Sequence, residues 1–416
     1  MNFLTGFNMA VSVLFMIFYS YQMLYIVIPF LKKQKTTPAA QDKKYAVLIC
    51  ARNEQNVIGQ LIDSIKNQDY PKDKVTVFVL ADNCTDATAA AARRAGAIVY
   101  ERFDTSHVGK GYAMEALLEN IKRDWGEHAF DGYFVFDADN ILSTDFISRM
   151  NDVFCQGYDI VTGYRNSKNW GENWVSAGYA LWFMRESRFL NLPRHLLSAN
   201  AGVSGTGFMF SDRVLRETGG WPFHLLTEDI EFTVHSVLRG FRIGYCHNAV
   251  FFDEQPVKFS QSFTQRMRWA KGVFQVFGRY GLNLFKGALK GDFSCYDMMM
   301  NLMPAALLAF VSVLVNGTAC FAGVITGRRL DIIGLSIVMW LCNVYTMFLA
   351  IGAITLVTQW KRIYAPRHKK VLYLFTFPLF MMTYIPISMA ALFVDVQWKQ
   401  IAHTDSKNLS AIINTK

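Results

Sequence analysis

Four apolar runs decide what this chain can become. Residues 9–31, 300–325, 332–358 and 371–394 each approach the ~20 apolar residues that cross a bilayer, and they bracket a long polar insert. The first run has no basic stretch before it and no small-residue cleavage site after it, so it reads as a retained anchor. Lys32, Lys33, Lys35, Lys43 and Lys44 follow the first run, and Lys361, Arg362, Arg367, Lys369 and Lys370 separate the third from the fourth. The positive-inside rule puts both basic loops in the cytoplasm. With four crossings the N-terminus is then outside, residues 32–299 and 359–370 are inside, and the tail 397–416 is outside. The net charge of +9 lies largely beside the apolar runs, which suits membrane lipids with anionic headgroups. No basic patch is interleaved with aromatics as in single-strand binders, so no nucleic acid is expected. The seven Cys show no CxxC spacing and are expected to be reduced.

Between Lys44 and Pro256 short apolar runs alternate with helical stretches, the pattern of a largely parallel, Rossmann-like α/β layer. YAVLICA (45–51), VTVFVLAD (75–82), AIVYER (97–102), YFVFDAD (133–139) and IVTGY (160–164) read as strands, with helices over 57–66 and 87–95. Ligands of such sheets sit beyond the carboxyl ends of the strands. Asp82 ends the second strand, and Asp137 and Asp139 follow the fourth. One such acid is often only a helix cap; acids at the ends of different strands point to a site.

DADN (137–140) spaces two carboxylates for a hard divalent cation shared with substrate phosphates. In TEDIEF (227–232), Thr227 reads as a helix N-cap, with Glu228 and Asp229 in the first turn. The helix dipole favours acids there in any protein; alternatively Asp229 is a general base. DTSHVGKGYA (104–113) lacks the remaining residues of a Walker A loop, so Lys110 is placed at a helix start facing a single phosphate or ribose. SGTGF (204–208) reads as a tight turn where a sugar approaches backbone, with Gly205 in it. His224 and His247 read as structural. In QRMRWAKG (265–272), Gln265, Arg268 and Trp269 share one helix face: an amide, a cation and an aromatic plate, suited either to a sugar–phosphate ligand or to a membrane surface.

ARNE (51–54), ADNCTD (81–86), GKG (109–111), DADN, SGTG (204–207), TED (227–229) and QRMRW (265–269), in this order and between membrane spans, resemble the membrane-integrated family 2 glycosyltransferases, the group of cellulose, hyaluronan and poly-N-acetylglucosamine synthases. The resemblance implies a GT-A catalytic domain over 44–258, inserted between an N-terminal transmembrane helix (1–31) and interfacial helices (259–298), with three transmembrane helices (299–396) and a tail (397–416) beyond. It implies a hexosyltransferase using a UDP-sugar and Mg²⁺ or Mn²⁺. Ala51, Glu54, Asp82 and Lys110 would hold the uridine side, Asp137 the nucleotide sugar and Asp139 the metal. Asp229, beside Glu228, would be the base; Gln265 and Arg268 would hold the diphosphate while Trp269 stacks on the acceptor.

On this reading the chain is an inverting enzyme that processively adds β-linked sugars to a growing polysaccharide, a glycan acceptor, at the plasma or inner membrane. The alternative is a single addition to a lipid-linked acceptor. Neither the gating-loop motif of cellulose synthases nor a cyclic-dinucleotide-binding domain is found in the sequence. Four spans are few for a polymer channel, so a small membrane partner or self-association is expected. A transporter is disfavoured because the spans carry no paired internal charges, and an inactive regulator because all four acids, Asp82, Asp137, Asp139 and Asp229, are present.

Overall fold

A computed structural model describes residues 3–302, 304–325, 330–398, 401 and 403–414 of the 416-residue chain. Residues 326–329, between the second and third apolar runs, lie outside the described residues. Two apolar helices, α1 (Phe3–Tyr19) and α2 (Tyr21–Leu31), lead into the polar insert. There the elements alternate as β1 (Tyr45–Ala51), α3 (Ile58–Lys66), β2 (Val75–Asp82), α4 (Thr88–Arg94), β3 (Ile98–Arg102), α5 (Lys110–Trp125), β4 (Gly132–Phe136), β5 (Ile141–Leu142), α6 (Phe146–Phe154) and β6 (Ile160–Ser167). Then come α7 (Trp174–Glu186), α8 (Leu192–Leu196), β7 (Phe208–Ser211), α9 (Asp212–Thr218), α10 (Glu228–Leu238) and β8 (Ile243–Asp253).

The strands form one sheet in the order β3-β2-β1-β4-β7-β6-β8-β5. Successive side chains of a strand point to opposite faces, and β1 feeds both halves of the core accordingly. Tyr45, Val47 and Ile49 join Leu61, Ile62, Phe146 and Ile147 from α3 and α6. Ala46 and Leu48 join Met114 and Leu117 from α5 on the other face. The sheet is largely parallel, as expected, with β6 and β8 also a parallel pair, but it is mixed. Strands β3, β2, β1 and β4 are parallel, but β7 runs antiparallel between β4 and β6, and β5 antiparallel to β8. A buried apolar run reports burial and not direction, so the four-residue β7 left no trace in the pattern.

Residues 259–298 carry one long amphipathic helix, α11 (Phe259–Leu289), followed by α12 (Phe293–Leu302). At Gly272 a Cβ would lie 2.5 Å from the Thr227 side chain. Glycine there lets α11 cross the start of α10 at close range. Beyond lie α13 (Pro304–Ile325), α14 (Leu330–Gln359), α15 (Arg367–Met382) and α16 (Tyr384–Phe393), then a short α17 (Leu409–Ile413). Among the described residues, Gly6–Leu31, Val338–Arg362 and Arg367–Phe393 are long and apolar enough to cross a membrane, and Phe310–Gly323 within α13 is a shorter apolar stretch.

The fourth apolar run behaves differently from the sequence expectation. Before it, Gln359 accepts a hydrogen bond from the Tyr164 hydroxyl of β6 (2.9 Å) and Lys369 Nζ donates to Gly171 O (2.8 Å). After it, the Arg52 guanidinium lies 5.3 Å from the Trp398 ring, and the N–H groups of Thr404 and Asp405 donate to the Glu254 carboxylate at 3.0 and 2.9 Å. Ile412 packs with Ile141 and Phe252 of the sheet. Both ends of the α15–α16 pair therefore meet the α/β domain, and the tail lies against that domain, not apart from it. Three crossings between domain and tail would have separated them. The helix pair breaks at Thr383, where Arg266 of α11 donates to Phe380 O (3.1 Å) and to the Thr383 hydroxyl (2.8 Å). Length and hydropathy register such a broken pair as one span.

Candidate active site

The carboxyl ends of β1, β2 and β4 lie side by side, because Ala51 pairs with Ala81 and Ile49 with Phe136. Just past β1 and β2, Asn53 and Asn83 both take φ of +53°, a left-handed conformation that Asn tolerates better than most residues. These turns open the edge of the sheet. Asp82 is there, but not as a free charge: Arg102 holds it at 2.7 Å, and Asn83 donates to the same oxygen at 3.1 Å. Glu54 is buried, its N–H donates to the Thr88 hydroxyl (2.7 Å), and burial raises its carboxyl pKa against the opposing pull of His403.

Lys110 begins α5 and spans two of the expected elements. Its Nζ donates to Asp137 Oδ1 and to Gly205 O, the latter at 2.7 Å. Burial alone would lower its pKa, but the Asp137 and Glu228 charges hold it above the usual lysine value. Gly205 takes φ of +73°, so the SGTG turn needs a residue without a Cβ. Asp139 is buried with Oδ2 receiving the Glu254 N–H at 2.7 Å. Burial would raise its pKa; His403, Lys168 and that N–H outweigh it and keep the carboxylate ionised.

Glu228 and Asp229 occupy the first turn of α10, as expected. The Thr227 hydroxyl does not cap them; it is buried with no partner. Burial raises both acids, and Glu228 is raised further by the charge of Asp229. Asp229 Oδ2 lies 3.7 Å from where a Cβ on Gly205 would sit, so the TED and SGTG turns face each other. From α11, Arg268 Nη1 donates to Leu226 O (2.9 Å), which fixes the guanidinium beside the TED turn. Trp269 stands edge-on to Tyr179 (5.7 Å) and Phe183 (6.0 Å), and the Gln265 carbonyl oxygen is buried without a partner.

All the residues singled out from sequence line one cavity of about 2870 Å³: Ala51, Glu54, Asp82, Lys110, Asp137, Asp139, Gly205, Glu228, Asp229, Gln265, Arg268 and Trp269. The cavity continues from the sheet edge into the apolar helices, past Asn8, Asn316 and Asn343. Asn8 and Asn316 exchange hydrogen bonds of 2.9 and 2.8 Å, satisfying each other inside the apolar layer. His224 and His247 take no part: His224 pairs with Glu115 at 2.9 Å, and burial keeps His247 neutral.

Sequence reasoning missed the second half of the wall. Arg165 of β6 pairs with Asp253 at 2.5 Å and donates to Ser204 O at 3.1 Å, bracing the SGTG turn. Trp398 and His403 of the tail also line the cavity. His403 Nδ1 is 2.9 Å from Glu54 Oε1; burial would lower its pKa, but Asp139, Glu54 and Glu254 raise it to about 10. No motif announces these residues, and placing the tail across the membrane removed them from view.

A divalent cation fits the donor set. Among the described residues no three His, Cys, Asp or Glu side chains gather about one point. Asp139 is nonetheless an ionised carboxylate on the cavity wall, and Glu54 Oε2 beside it is buried without a partner. Mg²⁺ and Mn²⁺ are commonly held this way, by one or two carboxylates with phosphate and water completing the shell.

Comparison with known proteins gives the same fold. Residues 42–272, more than half of the chain, match the family described as glycosyltransferase like family 2. A probable glycosyltransferase of Bacillus subtilis is 25% identical over 325 residues, covering 72% of this chain and 70% of that one. A beta-monoglucosyldiacylglycerol synthase of Synechocystis is 24% identical over 241 residues, covering 56% of this chain and 48% of its own. Among solved structures, a mannosyltransferase of Pyrobaculum calidifontis, in complex with GDP-Man and Mn²⁺, superposes with a TM-score of 0.59 at 17% identity. That superposition covers 94% of this chain and 99% of that one. The chain belongs to glycosyltransferase family 2, and its apolar helices associate it with a membrane.

Proposed function

We propose that the protein is an inverting hexosyltransferase that moves a sugar from a UDP-sugar to an acceptor hydroxyl at the membrane surface. The observation that carries this reading is that Asp139, Asp229 and Trp269, from three distant parts of the chain, line one cavity that runs on between the membrane helices. Ala51, Glu54, Asp82 and Lys110 bind the uridine side, and Asp137 the nucleotide sugar. A divalent cation at Asp139, when bound, neutralises charge on the diphosphate. Asp229 accepts the proton of the acceptor hydroxyl, whose oxygen forms the new bond to the anomeric carbon. The bond from that carbon to the diphosphate oxygen breaks, and its electron pair leaves with UDP. Gln265 and Arg268 face the departing diphosphate. Trp269, held edge-on by two aromatic rings, offers its face to the acceptor sugar. Attack opposite the leaving group gives a β-linkage from an α-linked donor.

The acceptor is a growing polysaccharide in the leading reading. The catalytic domain is cytoplasmic in a multi-pass plasma-membrane protein, with a small membrane partner or a second copy completing the path. A second reading, a single addition to a membrane lipid, is favoured by the apolar lining of the deep end of the cavity, which includes Phe15, Met16, Met339 and Met347. The test is incubation of the purified protein with a panel of nucleotide sugars and Mn²⁺, measuring nucleotide release and the size and solubility of the product. Release with a UDP-sugar and a β-linked product supports the proposal; silence across the panel overturns it. A product extracted into organic solvent selects the lipid acceptor.

A further inference from the structure

We propose that Arg188 and Arg362 form a binding site for the phosphate of an anionic phospholipid, at the ends of two apolar helices and outside the donor cavity. The stretches Gly6–Leu31 and Val338–Arg362 are each long and apolar enough to cross a membrane. Their ends meet at one residue of β8, His247. Gln34, just past α2, accepts the His247 N–H at 2.9 Å, and Arg362 donates to His247 O at 3.1 Å. Arg188, in the turn between α7 and α8, donates to Pro29 O at 3.3 Å and lies 5.7 Å from the Phe30 ring. Both guanidiniums thus sit at the level where the apolar stretches end, and headgroups flank the hydrocarbon layer at that level. Exposed Lys32, Lys33 and Lys35 directly follow the first stretch, and exposed Lys361 precedes Arg362.

Among the described residues no carboxylate pairs with either guanidinium. The charge that Arg188 meets is that of Arg362, and burial and both cations together hold the His247 imidazole neutral. Arg188 Nε is buried without a hydrogen-bond partner. Arg362 lies 4.2 Å from the Tyr164 ring centre, a contact that fixes the cation without neutralising it. Two like charges in a half-buried spot repel, and an anion between them offsets the repulsion. Phosphate suits the place because guanidinium donors match its oxygens in bidentate pairs, and basic pockets between membrane helices take such headgroups. A zwitterionic headgroup would bring a further cation into the cluster, so the fitting lipid is one whose headgroup carries net negative charge. Phe30 and Leu31 beside the site are exposed and offer apolar surface to acyl chains, which a free phosphate would not use. Neither arginine lines the donor cavity, so lipid and nucleotide do not compete.

The test is thermal melting of the full-length protein in neutral detergent, stripped of lipid, with phosphatidylglycerol or phosphatidylcholine added back in mixed micelles. Phosphatidylglycerol is expected to raise the melting temperature by about 3 °C or more, and phosphatidylcholine by clearly less. The gain should vanish in R188Q/R362Q, whereas K72Q, which removes an exposed cation elsewhere on the domain, should keep it. H247E sets a carboxylate between the two guanidiniums. It should melt higher than the parent without lipid and lose the phosphatidylglycerol gain, and it decides the matter if the double variant does not fold. No gain in the parent, equal gains from the two lipids, or a full gain in R188Q/R362Q or H247E overturns the proposal. The same gain from inorganic phosphate without lipid overturns it as well, since the occupant would then be a free anion.

Discussion

Glu228 and Asp229 are adjacent acids in one buried helix turn, and their protonation is linked. A base must be ionised, so turnover should fall as pH drops through the pKa of Asp229, which burial has raised. The acid limb of the kcat profile is therefore expected above the range of an ordinary carboxylate. Glu228 owes part of its rise to the charge of Asp229, so it is still neutral when Asp229 ionises, and E228Q should leave that limb in place; a limb moved to lower pH would mean that Glu228 ionises first. D229N should retain UDP affinity and lose ~10²–10⁴-fold in turnover, the usual contribution of a general base. Normal turnover in that variant would sink the assignment. Trp269 stands edge-on to Tyr179 and Phe183, and as the acceptor platform its loss in W269A should raise the acceptor KM and leave the donor KM unchanged. These side chains were readable in advance because each sits in a short motif with a fixed offset. Their partners were not: Arg102 on Asp82 and Arg165 on Asp253 are pairings across strands that no local spacing encodes.

Among the elements, α11 carries most of the consequence. Its Gly272 allows contact with Thr227, and a side chain there must push α11 from the start of α10. G272V should cost about 1–3 kcal/mol by overpacking and lower turnover by displacing Arg268 and Trp269 from Asp229; thermal melting and kcat would check the two effects separately. The tail makes a second prediction. A cysteine placed at exposed Ser406 should react with a membrane-impermeant maleimide only under conditions that also label a cysteine at Asp73, exposed on the catalytic domain. Labelling of Ser406→Cys alone from the outer face would contradict the same-side placement. The strands and helices of the insert were legible because apolar runs and their breaks repeat at element length. The direction of β7 and the bend at Thr383 were not, since antiparallel pairing and a broken helix pair are settled by partners far along the chain.

At the scale of the whole molecule, one buried ion pair joins catalytic domain to membrane helices. Asp297 of α12 receives Arg194 of α8 at 2.6 and 3.1 Å and the hydroxyls of Tyr21 and Tyr25 of α2 at 2.8 and 2.9 Å. Both charged side chains are 1% exposed. R194M leaves a buried carboxylate with only its two phenols, so a loss of about 3–5 kcal/mol is expected, seen as a lower melting temperature of the detergent-solubilised protein. An unchanged melting temperature would show that the two parts do not unfold together. The sequence by itself determined the family, the apolar helices, the strand edge and the acids on it, because periodicity, hydropathy and motif spacing are local properties of a chain. Only the tertiary structure decided that a broken helix pair brings the tail back to the catalytic side and lays His403 against Glu54. That outcome depends on contacts between residues hundreds of positions apart, whose energies no short stretch contains.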